Sequence, residues 1–291
     1  MRGRDGEDGG GRTARGGAVK AVVMAAGRGS RMQAAGGEDP PLETEQRRWA
    51  NRGRKTLIPF HGQPFLAHLL GALAEGGIQE VCVVVGPGDD PVARFLERHE
   101  VEVGFRRLQV AVAVQEVASG SAHALLAARA FAGEDPVLVV NADNLYPAPV
   151  VEAVRRLEGD ATAGFRARAL VEEGGIEASR ISAFALLEAG TDGCLVRIVE
   201  KPGPEVAAGF GPNPMVSMTC WRFTPAIFEA CRRVAPSPRG EHELPDAVRL
   251  RIREEGACVQ VLPVEAAVLD LTRRADIPRV EARLRGREVR L

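Results

Sequence analysis

The residues of this chain best suited to chemistry fall in a few short stretches. The first is Ala25-Ala26-Gly27-Arg28-Gly29-Ser30-Arg31. Glycine accepts backbone angles that a side chain forbids and lets the chain pass close to a ligand. Successive exposed N–H groups in such a turn make an anion-binding concavity. Arg31 adds a permanent charge in a fork that matches phosphate oxygens. The turn lacks the Gly-Lys-Ser/Thr of a Walker loop, and its Gly-x-Gly does not complete a dinucleotide fingerprint. Locally it reads as a phosphate cradle; the alternative is a tight strand-to-helix turn with a surface arginine.

Two aspartates stand in similar settings. Asp143 follows the apolar run 137–140 within Asn141-Ala142-Asp143-Asn144, and Asp270 follows Val268-Leu269. A carboxylate at a strand end that faces a phosphate cradle suits Mg2+, which binds through one or two carboxylates plus substrate phosphates. The competing reading of each is a helix cap. Of 38 basic residues only Lys20, Lys55 and Lys201 are lysine. A compact ammonium differs chemically from a guanidinium, so Lys55 and Lys201 are candidates for phosphate contact, against the alternative of solvated surface charge. For Lys20 chance suffices. Gln115 carries an amide that can read a base edge with donor and acceptor together. Gly120 would let a base pack on the backbone, and Ser119 or Ser121 serves equally as a helix cap. The five histidines show no metal-ligand spacing and read as structural or surface residues.

These side chains require a scaffold that gathers them. An apolar strand is expected at 20–24, 81–85, 108–114 and 137–140. Helices of 3.6-residue period are expected at 65–75, 91–99 and 121–131. Strand alternating with helix specifies an α/β, Rossmann-like doubly wound, mostly parallel sheet with helices on both faces. Ligands of such sheets bind beyond the carboxyl ends of the strands, where the cradle and Asp143 both lie. The second half is less regular and reads as a smaller mixed subregion. It has helices at 150–157, 225–234, 244–255 and 273–285, and strands at 182–187, 194–199, 215–223, 259–263 and 267–271. Thr191-Asp192-Gly193 marks a hairpin. Residues 1–17 read as a disordered tail. Residues 18–291 are expected to form one domain, with a nucleotide half to about 145 and an acceptor half beyond. The polar stretch 33–54 is long for a loop and is a candidate lid, with room for a short helix over 42–49.

The 291 residues are 45% hydrophobic, enough for a packed core, and the formal net charge of −1 gives no electrostatic case for nucleic acid or a membrane surface. No apolar run approaches a bilayer span. The five cysteines are scattered without C-x-x-C spacing, so neither a disulfide framework nor a zinc site is expected, which suits the cytoplasm.

Taken in order, these stretches resemble the sugar 1-phosphate nucleotidyltransferase (nucleotidyl sugar pyrophosphorylase) family. The resemblance runs from about Lys20 to Arg285. It is carried by residues 25–32, Lys55 with Ile58-Pro59, Gln115 with residues 120–125, Asn141-Ala142-Asp143, Glu200-Lys201-Pro202, and Leu269-Asp270 with Asp276-Ile277. It implies that Ala25, Ala26, Gly27, Gly29 and Ser30 hold the triphosphate and that Arg31 and Lys55 neutralise the leaving pyrophosphate. Gln115, Gly120 and Ser121 would serve the nucleotide, Glu200 the sugar hydroxyls and Lys201 the sugar phosphate. Asp143 and Asp270 would bind Mg2+. The implied partners are a nucleoside triphosphate and a phosphorylated sugar, with a homo-oligomer left open. Three departures stand out. Ser182-Ala183-Phe184 and Thr219-Cys220 replace expected glycines and would narrow the acceptor pocket. Val268 and Thr272-Arg273 replace the tryptophan and Gly-Thr that usually flank the second aspartate. The stretch 33–54 is longer than usual. The alternatives are the same chemistry on a non-sugar phosphate such as phosphocholine, and a non-catalytic nucleotide-binding regulatory protein.

Overall fold

A computed structural model describes residues 18–34, 40–238 and 240–291. The expected tail at 1–17 lies outside them. The strands, in chain order, are β1 (Lys20–Met24), β2 (Pro59–Phe60), β3 (Gln63–Pro64), β4 (Glu80–Val85), β5 (Gln109–Val114), β6 (Val137–Asn141), β7 (Asn144–Leu145), β8 (Asp160–Arg166), β9 (Ala185–Ala189), β10 (Leu195–Val199), β11 (Met215–Phe223), β12 (Val259–Val264) and β13 (Leu269–Asp270). Among the described residues, nine strands form one sheet along the path β10-β9-β11-β6-β1-β4-β5, widened by β8 on β11 and β12 on β8. β6, β1, β4 and β5 are parallel neighbours. β11 runs antiparallel to β6, β8 and β9, and so joins the first half to the second.

Period-two alternation along the central strands feeds two separate apolar layers. Ala21 and Val23 of β1, Val81 and Val83 of β4, and Leu138 and Val140 of β6 enter one core. Val22, Cys82, Val84, Val137 and Val139 enter the other. Strands buried on both faces read as continuous apolar runs, the signature of a parallel sheet sandwiched by helices. The first layer is covered by helices Phe65–Glu75 and Ala148–Arg156, the second by Ser121–Ala127, Ala226–Arg233 and Leu244–Glu255. Residues 65–74 are all buried, and apart from His68 they are apolar, so this helix lies inside the molecule.

Several expectations are revised. The helix expected at 121–131 is two pieces, Ser121–Ala127 and Arg129–Ala132. Alanine suits a helix interior and carries no stop signal, so the sequence hides the break. β8 and the helix Ala167–Glu172 are new. The sequence of β8 is poor in β-branched residues, and at Gly164 a Cβ would lie 2.9 Å from Met215 Sδ on the neighbouring strand. In place of a strand starting at 182 there is a 3-10 turn, Ala178–Ala183, before β9. In the stretch 33–54 the described residues include helix Thr44–Asn51, which buries Gln46 and Ala50. Arg274 Nη2 also ties Asn51 Oδ1 at 2.7 Å, so this part is packed rather than lid-like.

The cysteine reading is corrected. Cys194 and Cys258 form a disulfide with Cα atoms 5.3 Å apart and a sequence separation of 64. Folding brings them together because Gly193 O accepts from Val261 N at 2.9 Å and Cys194 bridges Gln260, pinning the β9–β10 turn on β12. The cysteine argument for a reducing compartment falls with this pair. Cys82, Cys220 and Cys231 are buried free thiols. Among the described residues no helix is long and apolar enough to cross a membrane.

Candidate active site

At the carboxyl ends of the parallel strands lie two cavities, of about 540 Å³ and 220 Å³. The larger is walled by the turn after β1: Ala25, Ala26, Gly27, Gly29, Ser30 and Arg31 all line it. The turn is fixed by a close backbone approach. Gly29 has φ +63°, and a Cβ there would sit 2.0 Å from Gly53 O. Gly53 is likewise left-handed at φ +67°, with its own imaginary Cβ 2.5 Å from Arg28 O. Only glycine fits either position. The next residues deliver charge to the same cavity. Arg54 pairs with Asp90 at 2.9 Å, and Asp90 caps helix Pro91–Glu102 through Val92 N at 2.8 Å. Lys55 donates from Nζ to Asp143 Oδ2.

Gln115 closes β5, its N–H bonded to Val85 O at 2.9 Å. Its side-chain NH2 donates to Gly120 O at 3.1 Å, which leaves the amide oxygen to accept from a ligand N–H. Gly120 has φ +107°, and a Cβ would lie 2.4 Å from His242 O. This tight approach lets residues 119–122 exchange bonds with His242: its N–H donates to Ser119 O at 2.7 Å and its carbonyl accepts from Ala122 N at 2.9 Å. Ser121 Oγ accepts from Leu244 N at 2.8 Å and so caps the helix Leu244–Glu255. The segment before this helix, residues 241–243, is not helical and runs along the cavity wall, with Glu241 lining it.

The smaller cavity adjoins the larger. Met24, Arg31, Ser121, Asn141, Asp143 and Thr272 line both. Its other walls bring Glu200, Lys201 and Asp270 to the same place. Thus Arg31, Asp143 and Lys201, far apart in sequence, face one cleft. Lys201 Nζ lies 3.5 Å from Glu200 Oε1, on a backbone with φ +46°. Thr219 has φ +56° within β11, a conformation costing a β-branched residue about 1–3 kcal/mol. It is held by Asn141 Nδ2, which donates to its Oγ1 at 3.1 Å, and by Tyr146 OH, which donates to its carbonyl at 2.9 Å. The register of β11 against β8 shifts between Ser217 and Trp221, around this residue.

The glycine replacements act unequally. Ala183, Phe184 and Thr219 line the smaller cavity, while Cys220 is fully buried in the core and Ser182 is not part of the lining. Phe184 and Thr219 thus stand where the sequence places pocket-narrowing residues, whereas Trp221, which also lines the cavity, is one that the sequence reading misses; strand alternation from Phe223 flags it. Asp270 is 2% exposed, and both its oxygens are already engaged: Oδ2 accepts from Arg180 Nη2 at 2.6 Å and Oδ1 from Thr272 Oγ1 at 2.8 Å. Burial and the nearby Asp143 charge push its carboxyl above the usual range, against the pull of Arg180. Among the described residues no cluster of three or more His, Cys, Asp or Glu could cage a cation. The donor set is instead two neighbouring carboxylates beside a phosphate cradle, which fits a metal completed by phosphate oxygens.

The chain belongs to the nucleotidyl transferase family, whose model matches residues 20–266. It is 30% identical over 267 residues to the UTP–glucose-1-phosphate uridylyltransferase AglF of Haloferax volcanii, covering 91% of this chain and 96% of that one. It is 28% identical to a glucose-1-phosphate thymidylyltransferase of Streptomyces antibioticus, over 89% of this chain but only 64% of that protein's length. The fold is similar to that of a UDP-glucose pyrophosphorylase crystallised with UDP-glucose, with a TM-score of 0.69, 17% identity, and coverage of 93% of this chain and 99% of that one. The chain is thus related to enzymes of nucleotidyl transfer and has their fold.

Proposed function

We propose that this enzyme transfers a nucleotidyl group from a nucleoside triphosphate to a sugar 1-phosphate, giving a nucleotide sugar and pyrophosphate. The observation that carries the reading is the junction of the two cavities at Arg31 and Asp143, one walled by the cradle and the other by Glu200 and Lys201. In this reading the triphosphate lies along residues 25–31, with its base at Gln115 and Gly120. The acceptor phosphate is steered by Lys201, and Glu200 takes hydroxyl groups. An acceptor phosphate oxygen attacks the α-phosphorus, the bond to the β-phosphate oxygen breaks, and pyrophosphate leaves with the electron pair. Both reactants are anions, so the protein's work is alignment and charge screening by Arg31, Lys55 and Lys201. Asp143, with Asp270 behind it, would hold a divalent metal such as Mg2+, which supplies Lewis-acid stabilisation of the phosphates. No protein nucleophile is required.

The test is pyrophosphate release with Mg2+, crossing UTP, dTTP, ATP, CTP and GTP with glucose 1-phosphate, other sugar 1-phosphates and phosphocholine. Turnover with a sugar 1-phosphate is the expected result. Turnover with phosphocholine alone would select the non-sugar reading. Nucleotide binding without turnover on any acceptor would select a regulatory role. Asp143→Asn should lower kcat by about 10²–10³ at unchanged melting temperature, the scale of losing one transition-state charge contact. Near-normal turnover would remove Asp143 from the site.

A further inference from the structure

Arg180 belongs to no part of the site anticipated from sequence. It sits in the 3-10 turn before β9 and is 7% exposed. Its guanidinium bridges two buried carboxylates: Nη2 donates to Asp270 Oδ2 at 2.6 Å and Nη1 to Asp276 Oδ1 at 2.8 Å. Asp276 is fixed in turn by Arg279 Nη2 at 2.8 Å and by the backbone N–H groups of Thr272 at 3.0 Å and Arg273 at 2.7 Å. Such a buried ion network is weak grounds for stability, because apolar residues can fill the same volume as well or better. What the planar fork supplies is fixed geometry.

That geometry spans the cleft. Four and five residues beyond Arg180, Phe184 and Ala185 line the smaller cavity. At the other end of the guanidinium, Asp270 lines the same cavity and lies opposite Asn144 in the β13–β7 ladder, one residue from Asp143. Leu271 N donates to Asp143 O at 2.9 Å, so the two aspartates share one short framework. A single side chain therefore ties the acceptor wall to the second carboxylate of the phosphate site.

We propose that Arg180 is a positioning residue for the transfer reaction, orienting Asp270 beside Asp143 while holding residues 184–185 against the acceptor. This rests on the reading of the cleft as a metal-assisted nucleotidyl-transfer site. Arg180→Lys keeps the charge and loses the fork. Asp276→Asn weakens the anchor from outside both cavity linings.

Two readouts separate positioning from bracing. One is binding of the Mn2+–nucleoside triphosphate complex, followed by water-proton relaxation; the other is KM for the acceptor. Both variants should weaken Mn2+–triphosphate binding by about 10-fold, the scale of losing an outer-shell partner, and raise acceptor KM in parallel. Binding of the metal-free triphosphate should stay at the wild-type value. Variants that melt earlier but keep wild-type Mn2+–triphosphate binding and acceptor KM would make Arg180 a structural brace and overturn the inference. If Arg180→Lys does not fold, Asp276→Asn decides alone. A wild-type protein that neither enhances relaxation nor releases pyrophosphate would end the reading of the site, and the inference with it. A wild type that does both, with unaffected variants, would end the inference only.

Discussion

Lys55 and Asp143 are each other's counter-charge at the floor of the larger cavity. In the proposed reaction, a triphosphate entering that cavity would offer Lys55 a denser anion and leave Asp143 to exchange its partner, which would couple nucleotide entry to the carboxylate's own chemistry. Away from the site, His68 shows how one ring sets a stability limit. It is 1% exposed; its Nε2 bonds Phe60 O at 3.2 Å, and its buried Nδ1 has no partner among the described residues. Burial lowers its pKa below the ordinary 6.5, the positive Arg287 and His61 nearby add to this, and the Phe60 bond only partly opposes them. The unfolded chain then binds a proton that the folded chain refuses. Stability contributed by neutral His68 is present above about pH 6.5 and is lost as the pH falls towards the depressed folded value. Melting temperature should therefore fall on acidification through about pH 6.5. The slope should be shallower in His68→Leu, even if that variant is less stable at neutral pH. Equal slopes in the two proteins would place the acid sensitivity elsewhere.

At the scale of elements, the cleft is built from backbone approaches that only glycine permits, and two substitutions separate its roles. Gly27 has nothing within 4 Å of an imaginary Cβ, whereas the Cβ of Gly120 would meet His242 O at 2.4 Å on a backbone with φ +107°. Gly27→Ala should fold with wild-type stability and weaken triphosphate binding, because its methyl enters the cradle. Gly120→Ala should lose both triphosphate affinity and about 1–3 kcal/mol of stability, read from urea titration. An unchanged midpoint in Gly120→Ala would show that the 119–122 contact with His242 yields easily. Most of these elements were legible in the sequence. Continuous valine runs gave the parallel strands, and the helix over 65–75 is bounded as expected. The cradle, Lys55, Asp143, Gln115, Glu200 and Lys201 were named, and they do converge on the cleft. What was not legible depends on partners distant in sequence. β8 is a strand because β11 and β12 flank it, not because Asp-Ala-Thr-Ala-Gly-Phe-Arg prefers to be one. Thr219 is strained by contacts from Asn141 and Tyr146, and Asp270 is claimed by an arginine 90 residues away.

At the scale of the whole molecule, the Cys194–Cys258 bond is the feature composition least suggested. Its sequence separation of 64 corresponds to roughly 4 kcal/mol in the loop-entropy model. Reduction should therefore lower the melting temperature by several degrees. Two thiols should then react rapidly with a disulfide reagent in the native state, because Cys258 is exposed and Cys194 half-buried. Cys82, Cys220 and Cys231 should stay silent until unfolding, since burial pushes each thiol up to about 12. Five fast thiols after reduction would contradict the burial described above. The bond also divides the molecule in a way the sheet does not. It makes a covalent ring of residues 194–258, which holds Glu200, Lys201, Thr219 and Trp221, while the cradle, Lys55 and Asp143 lie on the chain outside it. A protease nick anywhere within that ring leaves one covalent molecule, with those four residues still tethered at both ends. A nick before residue 194 has no such safeguard, so the cradle, Lys55, Asp143 and the Phe184–Ala185 edge of the smaller cavity depend on an unbroken backbone where Glu200, Lys201, Thr219 and Trp221 do not.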